Sequence, residues 1–291
     1  MIQVLTLGRV PYDEALALQA EIADLRLHNR IGNTLLLLEH PPVLTLGRNA
    51  HRSNVLASDE LLAARGIALH AINRGGDVTY HGPGQLIGYP IFDLRSLTNE
   101  KGGRLGPVDF VRRIEEALIR LCGVYGLRAG RIAGLTGVWC PAGGGVLDES
   151  RGEQAEPRKI AAIGIHVARG ITTHGFAFNL ATDLRDFQLI VPCGITDKPV
   201  TSLAAELSHN GQSPATLPTL EDLAHQAARQ FGLVFGQQIL ALGSLAELRE
   251  QASSAPAAPQ VPAPHAPEDR PLEYPRELER LRQRAEPPVR V

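Results

Sequence analysis

Residues 74–85 read RGGDVTYHGPGQ. Arg74, Asp77, Tyr80 and His81 ionise or hydrogen-bond strongly, and they are interleaved with Gly75, Gly76, Gly82 and Gly84. Glycine lets a backbone approach a ligand and turns its N–H groups outward. A plain turn ahead of an apolar strand needs no such mixture, so this segment is a candidate ligand-binding loop. Its spacing matches neither the phosphate loop nor the dinucleotide fingerprint, so neither ATP nor NAD is implied. Cys193 sits between Pro192 and Gly194 at the end of an apolar stretch. A thiol near neutral pH is mostly protonated and becomes a nucleophile only beside a base or a cation. A lone cysteine is as readily a small buried hydrophobe, and spacing alone leaves both readings of Cys193 open. Cys122 fits the buried reading on its helix face, and Cys140 fits either. Lys159 opens an apolar strand. A solvated edge is the ordinary reading, but a buried lysine has a lowered pKa and can act as a base. Residues 174–179, HGFAFN, would suit the wall of an acyl channel or a core strand.

These residues need elements to hold them. Pro11 opens a helix to about residue 26, with Leu16, Ala20, Ala23 and Leu27 expected on its inner face. Residues 107–125 form the clearest helix, with Phe110, Val111, Ile114, Leu118 and Leu121 on one side. Residues 35–38, 43–46, 67–72, 86–92, 135–139, 159–168 and 171–180 have strand character. Pro90 inside one of them suggests an edge or a bulge. Ser58 is an expected N-cap, and Thr219 with Asp222 and Ser244 with Glu247 resemble capping boxes. Helices and strands are interspersed without strict alternation, which favours an α+β fold with a mixed or antiparallel sheet. A catalytic domain is expected over 1–250 and a flexible Ala/Pro-rich, charged tail over 251–291, with a loop at 143–157.

The chain has 291 residues, 44% of them hydrophobic, with a formal net charge of −2. That charge gives no general attraction to nucleic acid or an anionic membrane. There is no secretory signal and no apolar run of about 20 residues, so no membrane span is expected. Three widely spaced cysteines without a CxxC pair argue against a disulfide framework and against a zinc site. A cytoplasmic setting fits them.

Taken together, the loop 74–85, Gly137-Val138-Trp139, the strand from Lys159 through Gly164, His174 through Asn179, and Pro192-Cys193-Gly194 resemble the lipoyl(octanoyl) transferase family in order and spacing. The resemblance implies the biotin/lipoate protein ligase fold, a mixed, largely antiparallel sheet flanked by helices. It implies transfer of octanoyl from octanoyl-acyl carrier protein to a lysine on lipoyl domains of 2-oxoacid dehydrogenase subunits and the glycine cleavage H protein. It makes Cys193 the nucleophile and Lys159 its partner. It puts Arg74, Gly75, Gly76, Asp77, Val78, Thr79, Tyr80, His81, Ala162, Ile163, Gly164, Gly175, Phe176 and Ala177 where the acyl group binds. No cofactor and no metal are implied. The competing readings are an ATP-dependent lipoate ligase of the same fold, an amidotransferase between lipoyl-bearing proteins, and a non-catalytic acyl-binding module.

Overall fold

The computed structural model describes residues 1–99, 102–141, 157–192, 198–209, 211 and 217–255. One compact unit spans Met1–Ala257. The expected loop at 143–157, apart from Pro157, and residues 256–291 of the expected tail lie outside the described residues, as does Cys193.

In chain order the strands are β1 (Ile2–Arg9), β2 (Asn33–Glu39), β3 (Val43–Leu46), β4 (Ala68–Ala71), β5 (Val78–His81), β6 (Gln85–Ile91), β7 (Gly130–Ile132), β8 (Leu135–Cys140), β9 (Arg158–Ala168), β10 (Ile171–Asn179) and β11 (Ile239–Ala241). The helices are α1 (Tyr12–Leu27), α2 (Asp59–Ala64), α3 (Pro107–Val124), α4 (Leu203–His209), α5 (Leu220–Phe235) and α6 (Leu245–Ser254). An 8-stranded sheet runs β11-β1-β2-β6-β10-β9-β8-β7, and a 3-stranded sheet runs β4-β3-β5. The large sheet is parallel where β1 meets β2 and β11 and antiparallel at its other junctions. This is the mixed, largely antiparallel α+β architecture expected from the sequence.

Two apolar layers sandwich the large sheet. Strand residues alternate faces, so Leu35 and Leu37 of β2 join Phe110, Ile114, Phe231 and Phe235 of α3 and α5. Leu36 and Leu38 join Ala15, Leu18, Ile22 and Leu248 of α1 and α6. A third cluster lies against the small sheet and includes Leu44, Val78, Tyr80, Leu62 of α2 and Phe187.

Four expectations are corrected. The inner face of α1 carries Tyr12, Ala15, Leu18, Gln19, Ile22 and Arg26, not the stripe through Leu16 and Ala20. Two polar members are buried there with partners: Gln19 Oε1 accepts the His174 N–H at 2.7 Å, and Arg26 Nε donates to Asn33 Oδ1 at 3.0 Å. Pro90 is in β6, a central strand, not an edge. The ladder tolerates it because His174, which would face it, has φ +56 and spends its N–H on Gln19 instead. The box at Thr219 and Asp222 closes in both directions. At Ser244 only the outward half forms, since Glu247 Oε2 accepts the Gly243 N–H at 2.8 Å. Helix α6 carries Ala252 buried, so a boundary at 250 falls inside it.

Candidate acyl-transfer site

A pocket lies where the 74–81 segment crosses β9 and β10. Its walls are Arg74, Gly76, Asp77, Thr79 and His81 from the loop and β5, Ala162, Ile163 and Gly164 from β9, and Gly175, Phe176 and Ala177 from β10. Tyr12, Ile87, Tyr89 and His174 complete it. The enclosed cavity is small, about 50 Å³, and it opens to solvent. Close backbone packing explains the glycines. A Cβ at Gly164 would lie 2.6 Å from the Gly75 carbonyl oxygen, and one at Gly175 would lie 2.1 Å from that of Gly88. The Gly75 N–H donates to the Ile165 carbonyl at 2.9 Å and ties the loop to β9 beyond the residues that pair with β8. Gly75, Val78 and Tyr80 therefore play a different part from their neighbours. The first is a backbone anchor, and the other two are buried in the small-sheet cluster, Tyr80 against Phe187 with ring centroids 5.5 Å apart.

One hydrogen-bonded chain of side chains stiffens the site. Arg74 Nη2 donates to Thr45 Oγ1 at 2.9 Å, and Thr45 Oγ1 lies 3.4 Å from His81 Nε2. His81 Nδ1 donates to Gln85 Oε1 at 2.8 Å, Gln85 Nε2 to Asn179 Oδ1 at 2.9 Å, and Asn179 Nδ2 to the Thr201 carbonyl at 2.9 Å. Thr201 N–H reaches the Lys159 carbonyl at 2.8 Å. Groups in such a network hold one another in a single arrangement.

The buried imidazoles are neutral. Burial, reinforced by nearby His40, pushes His81 down to about 3. Burial also pushes His40 and His174 down to about 4. At His40 the Val10 carbonyl accepts from Nδ1 at 2.7 Å, so the bare Nε2 accepts the Tyr89 hydroxyl at 2.7 Å. Burial raises the Tyr12 and Tyr89 hydroxyls. Tyr12 packs on His40 and His70 at 5.1 Å each. Tyr12, His40 and Tyr89 were missed in the sequence. The one signal was Glu39-His40, two polar residues ending the most apolar strand of the chain.

A second hollow adjoins the first. Thr79, Ala162 and Ala177 wall both, and Lys159, Gln85, Asn179, Phe187, Pro192 and Val200 complete it. Lys159 is buried, with Nζ 4.7 Å from the centroid of the Trp139 ring. Pro192, the neighbour of Cys193 in sequence, lines this hollow together with Lys159. Cys122 and Cys140 are free and buried, and burial pushes both thiols up, which makes them poor nucleophiles. Among the described residues no group of three or more His, Cys, Asp or Glu could hold a metal ion. No described helix is long and apolar enough to cross a membrane.

The lipoyl protein ligase A/B catalytic domain family is matched over residues 11–232, and the chain belongs to that family. An octanoyltransferase of Acidobacterium capsulatum is 58% identical over 249 residues, covering 85% of this chain and 96% of its own. That of Koribacter versatilis is 49% identical over 281 residues, 97% of each chain. With relatives at this level the chain is an acyltransferase. The fold is shared more widely. The bipartite lipoate protein ligase of Thermoplasma acidophilum, solved in a study that includes its E2 lipoyl domain, aligns with a TM-score of 0.59 at 16% identity, over 87% of this chain and 89% of its own. Lipoate-protein ligase A bound with ATP aligns at 0.57 and 16%, over 87% and 94%.

Proposed function

We propose that the chain moves an octanoyl group from the thioester of an acyl carrier protein to a lysine of a lipoyl domain, by way of a thioester on Cys193. The observation that carries the reading is the buried Lys159 in a hollow lined by Pro192, sharing three walls with the larger pocket. The octanoyltransferase relatives supply the acyl group.

Lys159 Nζ takes the Cys193 thiol proton. The sulfur attacks the donor carbonyl, the bond to the carrier's thiol breaks, and that thiol leaves with the proton. The acceptor lysine then attacks the acyl-enzyme, gives its proton to Lys159 and releases Cys193. Exchange between thioesters is nearly neutral in free energy and thioester to amide is downhill, so the transfer consumes no ATP. Ile87, Ala162, Ile163, Phe176 and Ala177 offer the chain an apolar wall. Lipoyl domains of 2-oxoacid dehydrogenases and the glycine cleavage H protein are the acceptors.

Intact-protein mass spectrometry tests this. Octanoyl-acyl carrier protein without ATP should leave a hydroxylamine-sensitive octanoyl adduct on the wild type and none on Cys193→Ala. Transfer to a lipoyl domain by Cys193→Ala would sink the thioester route. Acylation that needs free octanoate and ATP would make the chain a ligase.

A further inference from the structure

We propose that Trp139 is the positioning residue for Lys159, its indole face seating the ammonium group that the amine becomes when it takes a proton. The inference rests on the reading of Lys159 as the proton acceptor.

The two are direct cross-strand partners on β8 and β9. Val138 and Cys140 turn into the layer of α3 and α5, so Trp139 projects from the opposite face of the sheet. Trp139 is 0% exposed and Lys159 is 6% exposed. The 4.7 Å from Nζ to the ring centroid is within reach of a cation–π attraction, which strengthens when water is excluded. The lysine stem has a second neighbour in Gly137. A Cβ there would sit 3.4 Å from Lys159 Cε and 2.7 Å from the Ala161 carbonyl oxygen, and φ of +132 excludes most other residues. Gly137 is itself fixed, its N–H donating to Oε1 of the buried Glu115 at 3.1 Å.

The indole has a cost at this place. Trp139 Nε1 is buried with no hydrogen-bond partner among the described residues, and an unpaired buried N–H is destabilising. Phenylalanine would fill much of the same space without it. What phenylalanine gives up is attraction for a cation, which is strongest for the indole face. The chain keeps the more attractive ring although its N–H has no partner among the described residues.

Other described groups lie near Lys159 or the residues beside it. Thr79, Gln85 and Asn179 on the hollow side are neutral. Arg158, the preceding residue of β9, is held by Glu206 of α4 at 2.7 Å and 2.9 Å. Glu115 of α3, behind Gly137, is held by Arg112 and Arg131 at 2.7 Å and 3.0 Å. Cys140 faces the opposite layer. Lys198 precedes Pro199, whose carbonyl accepts the Lys159 N–H at 2.9 Å. Cys193 and Asp197 lie outside the described residues.

An aromatic face favours the charged form of an amine, so losing one moves protonation to lower pH. The test is the pH profile of kcat/KM for octanoyl transfer, measured with the melting temperature, on wild type, Trp139→Leu, Trp139→Phe and Lys159→Met. Trp139→Leu should move the acid limb down by about one pH unit. Trp139→Phe should move it by a few tenths of a unit in the same direction, while melting no lower than wild type. A purely structural tryptophan would not combine those two results, and Phe carries the test alone if Leu does not fold. Acid limbs coincident with wild type in the Trp139 variants, with Lys159→Met inactive, would overturn the role of the ring and leave Lys159 as the base. An active Lys159→Met with the wild-type profile would overturn both.

Discussion

Acid should unfold this protein through three histidines that the site keeps neutral. His40, His81 and His174 are 0%, 8% and 4% exposed, with folded-state values of about 4, about 3 and about 4. In the unfolded chain each takes a proton near pH 6.5. Between those limits the unfolded state binds more protons, so stability is complete above about pH 6.5 and falls as the pH is lowered toward the folded values. Going from pH 7 to pH 5 charges each unfolded imidazole while the folded one stays neutral, at about 1.8 kcal/mol apiece and about 5 kcal/mol for the three. A domain has only about 5–15 kcal/mol in total. Urea unfolding at both pH values, on wild type and on a triple His→Gln variant, isolates the effect. Carboxylates contribute equally to both, so the difference in pH dependence belongs to the imidazoles. Equal dependence in the two proteins would refute the reasoning, as would an imidazole of this trio titrating near 6.5 in the folded protein by NMR.

Gly175→Ala should lower stability by about 3 kcal/mol or more, since its Cβ would lie 2.1 Å from a backbone oxygen; Gly8→Ala, with φ +64 but nothing within 4 Å, should cost about 1 kcal/mol in the same urea assay. Glu115→Gln should cost about 1 kcal/mol by calorimetry, and Glu115→Leu about 1–3 kcal/mol, because Arg112 and Arg131 share that carboxylate but keep access to water. Truncation after residue 255 should leave melting temperature and transfer rate unchanged, whereas truncation after residue 244 removes buried Leu248 and Ala252 and should lower the melting temperature by several degrees.

The elements that read well from the sequence were those whose residues announce one environment. Strand β3 and helix α3 were expected almost residue for residue, because an apolar run between Pro42 and Gly47 and a clean helical stripe each have one reading. Strands β1 and β11 were not anticipated. The three residues of β11 are too few for a pattern, and those of β1 pair through partners from both ends of the chain. The face of α1 was misassigned because burial there depends on Gln19 and Arg26, whose partners His174 and Asn33 lie outside the helix. In the site, Arg74, His81 and Lys159 stood out as polar residues among glycine or apolar neighbours. Tyr12, His40 and Tyr89 sit on three separate elements, and nothing local tells that they meet.

Two apolar layers on opposite faces of a sheet invite melting in two steps, one layer before the other. Strand β2 works against that. Leu35 and Leu37 are locked in one layer and Leu36 and Leu38 in the other, all of them fully enclosed. Loosening the strand for one layer withdraws its leucines from the other, because a single backbone carries both sets. The two cores are thus one cooperative unit, and heat or denaturant should meet a single transition whichever helix a spectroscopic probe is placed on.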